Sequence, residues 1–171
     1  MINYADGDAP SGGNGPPVRF VRDFVDLEMD WQTAALQIAR HPSDWLGELV
    51  TGTRDSQSPV QARMGLRAGR LFGASVVVTL AAPSRSHDSV IFPITWAPAS
   101  GSRLLPTFEG TLGISRLETD ASQLWLEGTY RAPLGRPGQL IDQAVFHRLA
   151  DSSIRGFLLR LARSLQNNPK E

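Results

Sequence analysis

A chain of 171 residues with 41% hydrophobic and 20% charged side chains has ordinary globular composition and enough length for one substantial core. Its Lys and Arg (17) balance its Asp and Glu (17), so no net field recruits nucleic acid or an anionic membrane. The absence of Cys excludes disulfides, thiol nucleophiles and thiolate metal sites, and suits a reducing cytoplasm.

The elements follow in chain order. Residues 1–17 carry Gly7, Gly12, Gly13, Gly15, Pro10, Pro16 and Pro17 and few side chains that could be buried, so this segment is expected to be disordered. It lacks the basic start and apolar run of a secretory signal, and no later stretch approaches the apolar length that spans a bilayer. A cytoplasmic protein without membrane insertion is therefore expected. Val18 to Met29 reads as a first strand, with Phe20, Arg22, Phe24 and Asp26 on one side and Val21, Asp23, Val25 and Leu27 on the other. Asp30 can cap a helix containing Trp31, Ala34, Ala35 and Ile38, which His41-Pro42 ends. Ser43 or Asp44 can open a second short helix through Trp45, Leu46 and Leu49. Thr51 to Pro59 is a polar loop.

From Val60 the period changes to two. Strands are predicted over 61–71, 74–81, 89–97, 106–117 and 123–132, joined by polar loops at 83–88, 98–103 and 118–122. Strands joined this closely are normally antiparallel neighbours. Centring the last hairpin on residue 120 sets Glu109 against Arg131, Gly110 against Tyr130, Leu112 against Gly128 and Ser115 against Trp125. Centring the earlier one on residue 85 sets Leu80 against Val90, Val78 against Phe92 and Val76 against Ile94. In both, the even-numbered residues form the apolar face, which a one-residue slip would turn to solvent. Pro137 then stands where a helix can start, and Gly138 to Gln166 reads as a long amphipathic helix. Its apolar residues are Ile141, Val145, Leu149, Ile154, Leu158, Leu161 and Leu165, flanked by Phe146 and Phe157. A stripe that wide must lie across a sheet. The expected organisation is a single domain over 18–166 with a short tail at 167–171.

This order, together with Leu126-Glu127-Gly128-Thr129-Tyr130-Arg131-Ala132-Pro133-Leu134-Gly135 and the helix carrying Val145 to Ala150 and Ile154 to Leu158, resembles the helix-grip fold of the SRPBCC superfamily. That superfamily includes START lipid-binding domains, the major birch-pollen allergen and polyketide cyclase-like proteins, and the resemblance is to its uncharacterised bacterial members. It implies an α+β fold with an antiparallel sheet of six to seven strands curved around the C-terminal helix and two short helices after the first strand. A short edge strand within 49–61 would supply a strand otherwise missing. The resemblance also implies a pocket between sheet and helix, often used for apolar ligands. No catalytic motif of the superfamily matches, and fold alone assigns no activity.

The candidate lining is Met64, Leu66, Val78, Phe92, Ile94, Trp96, Phe108, Leu112, Ile114, Leu126 and Tyr130, with Ile154, Phe157, Leu158 and Leu161 from the helix. A filled core is the plain reading, and it must hold for most of these residues. Gly110, Gly128, Ala62 and Ala68 leave open volume on that face or permit close packing. Arg116 and Tyr130 are the polar candidates: anchors for a ligand, or respectively a snorkelling side chain at a strand end and a hydroxyl satisfied by backbone.

His41, His87 and His147 are too dispersed for a metal triad, and Ser152 and Ser153 lack a nucleophile elbow. Asp142 and Asp151 read as solvated helix charges, as do Arg148, Arg155, Arg160 and Arg163. No cofactor motif is present. Trp125, with Val77 and Ile91, points outward, to a homodimer surface or to cover from the N-terminal segment or a loop. The leading expectation is noncatalytic binding of a small apolar or amphipathic molecule. The alternatives are a polyketide cyclase- or dehydratase-like enzyme, and a structural or homodimeric interaction module.

Overall fold

The computed structural model describes residues 18–40, 45–46, 48–51, 60–68, 72–99, 107–131 and 143–167. For 48–51, 60–68, 72–75, 143–150 and 153 the description is of backbone alone. Expectations about residues 1–17, the helix start at 138–142 and the tail at 168–171 lie outside the described residues.

Eight strands form one antiparallel sheet: β1 (Val18–Leu27), β2 (Glu48–Thr51), β3 (Val60–Ala68), β4 (Phe72–Leu80), β5 (Ser84–Arg85), β6 (Ser89–Pro98), β7 (Thr107–Arg116) and β8 (Ser122–Arg131). Seven of them follow the path β1-β8-β7-β6-β4-β3-β2, and the two-residue β5 pairs with the start of β6. Helix α1 (Trp31–Arg40) follows β1, and helix α2 (Gln143–Asn167) closes the fold. Asp30 caps α1 as expected, its Oδ2 accepting the Thr33 N–H at 2.9 Å. Ala34, Ala35 and Ile38 form its buried side. Trp45 and Leu46 are helical, as expected of the second short helix; its positions 43–44 and 47 lie outside the described residues, and Leu49 belongs to β2 instead. That strand is the edge strand expected after residue 49, and it pairs with β3 through Leu49 opposite Ala62.

The even-numbered apolar face holds through the centre of the sheet. Val76, Val78 and Leu80 on β4, Val90 to Trp96 on β6, Phe108, Leu112 and Ile114 on β7, and Leu124, Leu126 and Tyr130 on β8 are all buried at even positions. On β1 the parity inverts, because Arg19 pairs with Tyr130 and Val21 with Gly128; Val21 and Leu27 are its buried residues.

Both predicted registers slip by an even number of residues. In the last hairpin Gly110 faces Gly128, not Tyr130, and Glu109 faces Thr129, not Arg131. The Leu117 and Glu118 N–H groups both donate to the Ala121 carbonyl at 3.0 Å, fixing the loop one residue earlier than expected. In the earlier hairpin Val78 faces Trp96 and Leu80 faces Ile94. The segment expected as a plain turn contains β5, which occupies Val90 and Ile91 and moves β4 along β6. The switch falls at Pro93, which donates no backbone hydrogen bond and accepts one from the Ala81 N–H at 2.9 Å.

Helix α2 lies against β1, β8 and β3, and α1 touches β7 and α2. Ile154, Phe157, Leu158, Leu161, Ala162 and Leu165 form its buried stripe at successive three- and four-residue steps. Each fully buried large apolar side chain is worth roughly 1.5–3 kcal/mol, so this stripe carries most of the docking energy. No described helix is long and apolar enough to cross a membrane.

Candidate functional site

One row of residues runs across the inner face through every strand of the path. Arg19 pairs with Tyr130, Tyr130 with Phe108, Phe108 with Trp96, Trp96 with Val78, Val78 with Ala62, and Ala62 with Leu49. Its middle is aromatic. Trp96 stacks on Phe108 with ring centroids 4.1 Å apart and meets Tyr130 edge-on at 6.2 Å. Phe157 reaches Trp96 from α2 at 5.8 Å, and Trp45 closes edge-on against Phe157 at 6.0 Å. Five aromatic rings thus gather where the helix crosses the sheet.

The space above Gly110 and Gly128 belongs to Phe108. Its Cζ lies 2.6 Å from where a Cβ on Gly110 would stand and 2.7 Å from one on Gly128. The two glycines let the strands and this ring come together, and the opposing carbonyls of Glu127 and Glu109 leave no room for a side chain at either position.

Two nitrogens of the row are buried with no hydrogen-bond partner among the described residues: Trp96 Nε1 and Arg19 Nε. Gln37 Nε2 on α1 is a third such atom outside the row. Trp96 is 1% exposed, and a buried donor left unsatisfied costs about 1–3 kcal/mol. Arg19 gives its Nη2 to Asp151 on α2 at 3.2 Å, so its charge is paired while Nε remains. The hydroxyl-bearing Tyr130 is 1% exposed.

Of the predicted lining, Phe92, Ile94, Trp96, Phe108, Leu112, Ile114, Leu126 and Tyr130 are buried on the inner face, and Ile154, Phe157, Leu158 and Leu161 are buried on α2. Met64 and Leu66 lie in β3 opposite Val76 and Ala74, with side chains outside the described residues. Arg116 and Tyr130 are not brought together. Arg116 pairs with Ser122 at the far end of β7 and is exposed. Eight residues separate it from the Phe108–Tyr130 level, about 27 Å of strand, so the two cannot hold one head group.

Sequence reasoning passed over Arg19 and Trp45. For Arg19 the signal was present, since it shares the parity of Val21, Val25 and Leu27. Trp45 stands on the short helical segment after α1, and only the packing of α2 reveals its neighbour Phe157.

Arg155 is not a merely solvated helix charge. It donates from Nη1 to Asp23 Oδ1 at 3.0 Å and to the Phe24 carbonyl at 2.9 Å, while the Phe24 N–H donates to Asp23 Oδ1 at 2.8 Å. On the outer face the Trp125 ring fills the space over Gly113, and its Nε1–H donates to Ser115 Oγ at 3.0 Å. On β1, Phe24 stands beside Trp125 and is 52% exposed, and further along the same face Phe20 and Val18 are 65% and 54% exposed. Partial burial lowers the Arg160 guanidinium below its ordinary pKa. Among the described residues no group of three or more His, Asp or Glu side chains could hold a metal ion.

No protein-family model and no curated protein sequence matches the chain. Solved structures do resemble it. Norcoclaurine synthase from Thalictrum flavum superposes with a TM-score of 0.59 at 10% identity, over 98% of this chain and 97% of that one. The lipid transfer and protein localization domain of human StarD13 gives 0.54 at 14% identity, over 88% and 78% of the respective chains. The ZhuI aromatase/cyclase from Streptomyces sp. R1128 gives 0.53 at 10% identity, over 90% and 97%. At such identities the likeness speaks for architecture alone: the chain has the α+β helix-grip fold that these structures share.

Proposed function

We propose that this protein is a noncatalytic cytoplasmic binder of a small apolar or amphipathic molecule, held between the inner face of the sheet and α2. The observation that carries the reading is the pair of buried donors without a partner among the described residues, Trp96 Nε1 and Arg19 Nε, in an otherwise aromatic row under the helix. A filled protein interior rarely leaves buried donors unmet, whereas a binding interior leaves them for its ligand. The candidate lining is the aromatic row with Phe92, Ile94, Leu112, Ile114 and Leu126 beneath it and α2 above. Met64 and Leu66 stand in β3 opposite Val76 and Ala74, in line with this lining by register alone, and the exposed Arg116 lies at the opposite strand end, outside it. Burial of ligand surface supplies the affinity, at about 25 cal/mol per Å² before association costs. The test is a thermal-shift panel of palmitic acid, cholesterol and 2-acetylnaphthalene, with native mass spectrometry of the freshly purified protein. A raised Tm with at least one compound, or a retained small molecule, is expected. An unmoved Tm with all three and a bare protein mass would overturn the reading.

A second and compatible reading is self-association through the outer face, favoured by the exposure of Phe24 beside Trp125 and of Phe20 further along the same face. Light scattering is expected to give a dimer that Phe20→Ser with Phe24→Ser dissociates; a monomer at high concentration overturns it.

A further inference from the structure

The row also specifies the chemistry of what it holds. Resting on the ligand-binding reading above, we infer that Trp96 is the specificity-determining donor, and that the bound molecule presents to its Nε1–H a neutral oxygen acceptor, a carbonyl or ether, on an apolar frame.

The argument begins with the indole. Its N–H can only donate, and it is buried with no acceptor among the described residues. The ring is not free to turn toward one. Phe108 stacks on it at 4.1 Å, Tyr130 abuts it at 6.2 Å and Phe157 covers it at 5.8 Å. An acceptor must therefore come to the nitrogen.

The surroundings set the charge of that acceptor. No buried cation stands near Trp96 among the described residues; the buried polar side chain is Ser122, at the far strand end opposite Arg116. Arg19 lies three strands away along the row, about 14 Å, and Asp151 already balances its charge. A carboxylate at Trp96 would be desolvated with no counter-charge, which a neutral carbonyl avoids. A site with one buried donor discriminates strongly against the analogue that lacks the acceptor, because the donor is then left unmet in the complex.

Three probes of nearly one shape separate the possibilities: 2-acetylnaphthalene, 2-ethylnaphthalene and 2-naphthoic acid at neutral pH. Affinities are measured by calorimetry on the full chain. The four tryptophan indole N–H resonances are followed in parallel on labelled wild-type protein, with Trp96→Phe assigning that of Trp96. The ketone is expected to bind about tenfold or more tighter than the hydrocarbon and tighter than the acid, and to move the Trp96 N–H downfield. In Trp96→Phe, which keeps a ring on Phe108, the preference for ketone over hydrocarbon is expected to vanish. Equal affinity of ketone and hydrocarbon for the wild type overturns the inference while leaving ligand binding intact. Tighter binding of the acid overturns the neutral acceptor. A Trp96 N–H already downfield and unmoved by the ketone assigns it to an internal water and overturns the inference without any variant. No binding by these probes or by the panel above removes both readings.

Discussion

Gly110 and Gly128 stand opposite each other, and each is hemmed by a backbone oxygen of the facing strand as well as by Phe108. A side chain can rotate away from an added methyl, but a carbonyl held in a ladder cannot. Gly110→Ala and Gly128→Ala are therefore each expected to destabilise the fold by about 1–3 kcal/mol, the usual cost of overpacking. Gly156 is the internal control. It lies within α2 with nothing inside 4 Å of where a Cβ would stand, so an added methyl meets no neighbour. Gly156→Ala removes backbone entropy from a helix interior and is expected to stabilise by roughly 0.5–1 kcal/mol. Urea unfolding of the three variants decides both signs. Trp125 makes the same point on the other face: its ring occupies the space above Gly113 and finds Ser115 diagonally, two residues from the partner assigned by simple pairing.

Between elements, α2 and β1 are joined by two ion pairs at matched spacing, Arg19 with Asp151 and Asp23 with Arg155. Both are partly exposed, so each contributes no more than about 1 kcal/mol, far below the apolar stripe. Their work is positional. β1 is an edge strand, and at Phe24 its free N–H is taken by Asp23 and its free carbonyl by Arg155. A partner strand approaching this edge finds its central donor and acceptor already used, a common protection of natural edges. The variant combining Asp23→Ala and Arg155→Ala is expected to lose about 1 kcal/mol in urea unfolding and to associate at lower concentration than the wild type in light scattering. Unchanged association would assign edge protection to other features. None of this was legible in the sequence. Asp23 and Arg155 are 132 residues apart, and each taken alone reads as an ordinary surface charge.

Across the whole molecule, what the sequence disclosed and what it withheld follow from one property of strands. A period of two distinguishes faces but not registers that differ by two or four residues. The even-numbered lining was therefore readable, while the partners of Gly110, Val78 and Leu80 were not, because loop hydrogen bonds and the intrusion of β5 selected among registers of equal parity. The row from Arg19 to Leu49 depends on all of those registers at once, so the site appears only when the sheet is assembled. The same dependence gives a test of where a ligand sits. A molecule held against Trp96 touches β6 and β7 below and α2 above, two layers joined mainly by side chains. Binding there is expected to slow amide hydrogen exchange in α2 around Ile154–Leu161 together with β6 and β7, and to leave the β1 outer face unchanged. At a free ligand concentration of 100 times Kd the native state gains about 2.7 kcal/mol. For a chain of this size that corresponds to a rise in Tm of roughly 5–10 °C. Slowed exchange on β1 alone, with α2 unaffected, would place the ligand on Phe20 and Phe24 instead of in the grip.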